Sequence, residues 1–270
     1  HKGAVFVEEL NEVPEGSVVI FSAHGVAKSV WEEAQSRRLH VIDATCPLVI
    51  KVHNEVNRDY TQGYELILIG HAGHPEVIGT LGQIPDKFHL VSSVKDVESL
   101  HVEKTQNLSY VTQTTLSVDE CRDIVEALHR RFPNIKGPHQ EDICYATQNR
   151  QNAVKSLSKL VDVILVIGSP NSSNSNRLRE LGEHCGIPSY LIDAASDINP
   201  DWLKDAKSVG LSAGASAPEV LVTEVVAYLK RLGSSEEVEE LTVIEEDVEF
   251  LLPKELVTIE SASRVSASAN

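Results

Sequence analysis

A shift of 98 residues carries Cys46 onto Cys144 and the apolar run ending at Ile69 onto the one ending at Ile167. The polar loops move with them: His74 falls on Ser172, Glu76 on Asn174 and Thr114 on Ser212. Self-similarity at a fixed period marks supersecondary units that cannot bury their apolar faces alone. Two complete lobes are expected, each in the order cysteine, polar loop, second polar loop. The loop Ser22–Gly25 also follows an apolar strand and precedes a cysteine-bearing segment, so it reads as the last element of a third lobe. In the complete lobes the second loop lies 68 residues after the cysteine. That spacing, applied to Ser22, places a third cysteine on the order of 45 residues before His1. With His1 at its start and no Met, the chain is expected to be processed or a fragment, its first lobe incomplete.

Short β-branched runs alternate with helical patterns, the mark of βαβ units and an α/β fold with mostly parallel sheets. Strands are expected at Val18–Phe21, Leu66–Ile69, Leu108–Val111, Val163–Ile167 and Ser208–Leu211, and helices at Val118–Arg131 and Pro218–Arg231. The boundaries that follow are 1–46 for the remainder of the first lobe, 47–140 for the second, 141–232 for the third and 233–270 for a C-terminal connector. Within the last, Leu241–Leu252 is expected to form a closing strand and the Ser- and Ala-rich segment Ser261–Asn270 to be disordered.

A formal charge of −16 opposes a nucleic-acid footprint, which needs clustered Lys and Arg. No apolar stretch is long enough to span a membrane. Four cysteines in 270 residues are too few for a disulfide framework and favour reduced thiols or metal ligands in a reducing compartment, so the cytoplasm is expected.

Each strand runs into a polar loop, where open α/β sheets bind ligands. Cys46 and Cys144 each fall between a strand and a helix pattern, and a helix N-terminus favours the thiolate that binds iron. Cys121 and Cys185 have no repeat partner and are assigned to packing. Three cysteines around one [4Fe–4S] cluster would leave one iron without a protein ligand. Two from this chain and one upstream meet that count. His71, His74 and Glu76 could alternatively ligate a mononuclear metal, or His74 could bind an anion and Glu76 move a proton, with His71 a buried, satisfied histidine. Ser172, Ser173 and Asn174 precede a helix expected to begin near Asn176, and Ser216 precedes another at Pro218; both are positions where amides favour phosphate. Either could also be a simple N-cap. The five loops contain no Lys or Arg, so an anion there depends on neutral donors and histidine.

Seven segments together resemble the 4-hydroxy-3-methylbut-2-enyl diphosphate reductases, the IspH or LytB family. They are Phe21-Ser-Ala-His-Gly25, Asp43-Ala-Thr-Cys-Pro-Leu48, Gly70-His-Ala-Gly-His-Pro-Glu76, Thr112-Gln-Thr-Thr-Leu-Ser117, Asp142-Ile-Cys-Tyr-Ala-Thr147, Asn171-Ser-Ser-Asn-Ser-Asn176 and Ser212-Ala-Gly-Ala-Ser-Ala-Pro218. The resemblance implies three pseudo-repeated α/β lobes around a central [4Fe–4S] cluster held by Cys46, Cys144 and a cysteine upstream of His1. It implies His24, His74, Ser172, Ser173, Asn174 and Ser216 as diphosphate ligands, with Thr114 and Glu76 handling the allylic hydroxyl. The implied reaction is reductive dehydroxylation to isopentenyl and dimethylallyl diphosphates in the methylerythritol phosphate route, with ferredoxin or flavodoxin as electron donor. The competing readings are a metal-dependent hydrolase using His71, His74 and Glu76, and a non-catalytic diphosphate-binding module.

Overall fold

The computed structural model describes residues 3–85, 88–233, 238–253 and 255–256. They fall into two compact units, one of the described residues up to Gln113, Asp123–Asp142 and those from Val248 onward, the other of Thr114–Arg122 and the described residues between Ile143 and Asp247. Among the described residues every strand pair is parallel.

The first unit opens with β1 (Val18–Phe21) and β2 (His40–Asp43), joined through α1 (Lys28–Ser36). Leu10, Val13, Phe21, Ala34 and Leu39 form their core. Next come α2 (Pro47–Thr61), β3 (Glu65–Ile69), α3 (Pro75–Leu81), β4 (Phe88–Val91), α4 (Val94–Ser99) and β5 (Leu108–Thr112), with sheet order β4-β3-β5. Val52 and Val56 of α2 and Val77 of α3 pack on Leu66, Leu68 and Val111. The helix α5 covers Val118–Arg131.

In the second unit α6 (Tyr145–Leu157), β6 (Val163–Ile167), α7 (Ser173–His184), β7 (Ser189–Ile192), β8 (Val209–Ala213) and α8 (Glu219–Arg231) build a sheet of order β7-β6-β8. The run Val-Ile-Leu-Val-Ile of β6 is apolar at every position because both faces are covered. Val163, Leu165 and Ile167 face Val225 and Leu229 of α8, whereas Ile164 and Val166 meet Val154 of α6 and Leu178 of α7.

The repeat holds with a change of step. From α2 to α6 and from β3 to β6 the shift is 98 residues, but β5 and β8 begin at 108 and 209, a shift of 101. Gln113 N donates to Ile69 O, and its structural counterpart is Gly214 N donating to Ile167 O. The expected pairing of Thr114 with Ser212 is therefore corrected: Ser212 lies inside β8, and Thr114 corresponds to Ala215. The step changes before β7, which begins 101 residues after β4, because α7 is longer than α3.

Three further expectations change. The helix expected near Asn176 starts one turn earlier, with Ser172 as its N-cap. Residues 241–252 form no strand; Leu241, Val243 and Leu251 are exposed rather than set against a sheet edge. Cys185 is the exposed C-cap of α7 and packs in no core, whereas Cys121 is buried as expected. Ser261–Asn270 lies outside the described residues.

Candidate functional site

In the first unit β1 leads into Ser22-Ala-His-Gly25. Gly25 has φ +74°, and a methyl group there would lie 2.7 Å from His53 Cε1. The turn therefore needs glycine twice over, for its left-handed backbone and for the close approach of α2. Ser22 Oγ stands 3.2 Å from His24 Nδ1. The His24 and His74 rings meet edge to face, their centroids 5.5 Å apart.

His74 is the N-cap of α3, and its Nδ1 accepts the Glu76 N–H at 3.2 Å. A neutral ring in this arrangement carries its proton on Nε2, which remains a donor. Burial, reinforced by His24 and His71, pushes the His74 pKa down to about 4. Partial burial also lowers that of His24. Both imidazoles are neutral near pH 7. Glu76 is 3% exposed in the first turn of α3. His71 is half-buried rather than buried, and its backbone N–H donates to Gln113 Oε1. Among the described residues no group of three His, Cys, Asp or Glu side chains is arranged to hold a single metal ion.

Cys46 follows β2 and is the N-cap of α2, with Pro47 at the first helical position, where a missing N–H costs nothing. Its N–H donates to Ala23 O, tying the cysteine to the His24 turn. Thr45 N and Oγ1 both donate to Asp43 Oδ1.

In the second unit Cys144 is the N-cap of α6. No strand precedes it; in place of a copy of β2 there is a single parallel bridge, Ser109 to Lys136. Cys144 N donates to Thr114 O at 3.0 Å, joining two expected site residues through the backbone. Thr114 is 5% exposed. At α7, the Ser172 side chain accepts the Ser175 N–H, and Ser175 Oγ donates to Ser172 Oγ at 3.0 Å. Methyl groups at Gly168 and Gly214 would both collide with Ser175 Oγ, so these glycines let the start of α7 seat between the ends of β6 and β8. Thr115 Oγ1 donates to Ser173 Oγ at 3.3 Å. The Asn174 amide is buried, and among the described residues neither its oxygen nor its nitrogen has a partner. Ser216 lies exposed in the loop after β8.

Each expected site residue thus lies at a strand's carboxyl end or at the start of the following helix. Sequence reasoning missed Gln113 and Ser175, although both stood inside the quoted motifs. None of the four cysteines is bridged in a disulfide.

The sequence profile of the LytB protein family matches residues 1–230. A protein of Bradyrhizobium diazoefficiens named 4-hydroxy-3-methylbut-2-enyl diphosphate reductase 2 is 60% identical over 256 residues, which cover 95% of this chain and 83% of that protein. A reductase of the same name, without the numeral, from Aromatoleum aromaticum is 60% identical over 257 residues, 95% and 82% of the two chains. Among solved structures, the E-1-hydroxy-2-methyl-but-2-enyl-4-diphosphate reductase of Plasmodium falciparum superposes with a TM-score of 0.90 at 36% identity, covering 97% of this chain and 83% of that one. With that profile spanning most of its length and two relatives 60% identical over 95% of it, the chain belongs to the LytB family.

Proposed function

We propose that this chain catalyses the reductive dehydroxylation of 4-hydroxy-3-methylbut-2-enyl diphosphate to isopentenyl and dimethylallyl diphosphates. The observation that carries the reading is the repeated cysteine cap: Cys46 and Cys144 are unbridged thiols at equivalent N-termini of α2 and α6, 98 residues apart. Thiolate sulfur is the form that binds iron. The donor set suits iron, and the two residues would serve as ligands of a [4Fe–4S] cluster. Such a cluster supplies electrons one at a time, from ferredoxin or flavodoxin in this reading.

The remaining residues bind and protonate. Ser172, Ser173, Asn174 and Ser216 offer neutral donors to the diphosphate, and the unpartnered Asn174 amide gains the partner that its burial demands. His24 and His74 add imidazole N–H groups. Glu76, with Thr114, handles the allylic hydroxyl. Two electrons and two protons enter, one proton leaving with the hydroxyl as water and the other joining carbon. The three lobes at 1–46, 47–140 and 141–232 belong to this reading, supported by one parallel sheet within each range. A reducing cytoplasm suits the thiols.

The test is anaerobic purification of the protein with any coding sequence that precedes His1, followed by iron and sulfide analysis and turnover with a reduced ferredoxin. A brown, oxygen-sensitive protein releasing both products is expected. A protein that binds no iron after reconstitution, or a Cys46→Ser variant with unchanged turnover, overturns the proposal.

A further inference from the structure

The two cysteine caps are not chemically alike. Cys144 Sγ lies 2.9 Å from Thr147 Oγ1 and accepts the Thr147 N–H at 3.2 Å. With the thiol protonated, S–H donates to the hydroxyl; on thiolate formation the hydroxyl, a donor in its own right, turns its proton to sulfur. Thr147 has no solvent exposure, so water does not compete for that bond. Cys46 makes no side-chain cap hydrogen bond. The residue in the repeat position equivalent to Thr147 is Val49, 3% exposed and without a polar group.

We infer that Thr147 is a positioning and tuning residue whose buried hydroxyl sets the electron affinity of the iron–sulfur cluster through the Cys144 sulfur, a role that its counterpart Val49 cannot play at Cys46. The inference rests on the cluster reading above. Hydrogen bonds to cluster sulfurs are among the main determinants of reduction potential. The added electron increases the negative charge on the ligand sulfurs, so a hydrogen-bond donor stabilises the reduced form more than the oxidised one. Thr147 therefore raises the potential and eases one-electron reduction. Its hydroxyl also fixes the sulfur rotamer, as groups behind a metal ligand commonly do.

The experiment is a mediator-coupled reductive titration of the reconstituted cluster, followed by its visible absorbance and electron paramagnetic resonance, in wild type, Thr147→Val and Thr147→Ser. Valine keeps the shape and the backbone N–H but removes the hydroxyl; serine restores the hydroxyl. The expected result is a cluster of normal iron content in all three, with the Thr147→Val midpoint shifted to more negative potential and Thr147→Ser returned toward wild type. An intact Thr147→Val cluster with an unshifted midpoint overturns the tuning role while leaving the proposed function standing. Loss of the cluster in both variants also overturns it, since the side chain would then act through packing. A wild-type protein that takes up no iron overturns the function and the tuning role together.

Discussion

Lys51 Nζ stands 3.1 Å from Asp142 Oδ1, while Asp142 Oδ2 accepts the Thr112 N–H at 2.9 Å. The same ammonium donates to the carbonyls of Gln140 and Glu141. One lysine on α2 thus fastens the segment that enters Cys144 to the end of β5. The Asp142 side chain has no solvent exposure, and burial pushes its carboxyl up to about 6 despite the Thr112 amide and Lys51.

Lys51→Met leaves that carboxylate buried with less compensation, and the expected loss is about 1–3 kcal/mol after allowing for the partly exposed lysine. A carboxyl whose folded pKa is raised contributes stability below its ordinary value of 3.8 that is lost as pH rises toward about 6. Removing Lys51 raises the folded value further and extends the loss upward. Urea denaturation should show a larger deficit for Lys51→Met at pH 8 than at pH 5. Equal deficits would refute the coupling.

Gly25→Ala meets two obstacles, the left-handed backbone and the His53 ring. A cost of about 1–3 kcal/mol is expected, together with weaker inorganic pyrophosphate binding, because the His24 turn must shift. The double variant Gly25→Ala/His53→Ala should recover part of the stability by relieving the collision but not the backbone strain. No recovery would mean that the ring contact contributes nothing.

Glu76→Gln preserves the shape of a side chain that is 3% exposed. Cluster absorbance and substrate affinity should survive, with product formation slowed by about 10²–10⁴-fold through loss of the proton donor. Turnover equal to wild type would remove Glu76 from the chemistry.

The neutral histidines predict proton uptake on anion binding. His74 is held near 4, so it is unprotonated when free at pH 6 to 7, and partial burial holds His24 below its ordinary value. A bound anion raises both, which makes affinity climb as pH falls from 7 to 5. Calorimetry with inorganic pyrophosphate at pH 6, in buffers of different ionisation heat, should record more proton uptake for wild type than for His74→Gln. Identical uptake would place the titrating group elsewhere.

Sequence patterning located the central strands and most of the site but not the periphery. β6 and α5 fall on their expected bounds because each carries an unbroken signal, five apolar residues in one and a long amphipathic stripe in the other. The edge strands β2, β4 and β7 gave no comparable signal: each has four residues and retains partly exposed positions. The first turn of α7 read as loop because Ser and Asn favour turns when isolated, whereas here Ser172 caps and Ser175 wedges between glycines. The added length of α7 was hidden because a serine at 212 imitated the expected loop. Lys51, Asp142 and Thr112 lie far apart in sequence, and no local pattern encodes their convergence.

The order β4-β3-β5, repeated as β7-β6-β8, has a consequence for synthesis. On the ribosome β3 emerges with both edges unpaired; β4 supplies its first neighbour at Phe88–Val91, and the second arrives only with β5 at Leu108–Thr112. The most apolar strand of each sheet is therefore made first and shielded last. Because parallel pairing must await long crossovers, every nascent copy passes twice through a state with a sticky central ribbon exposed, a natural point of engagement for chaperones.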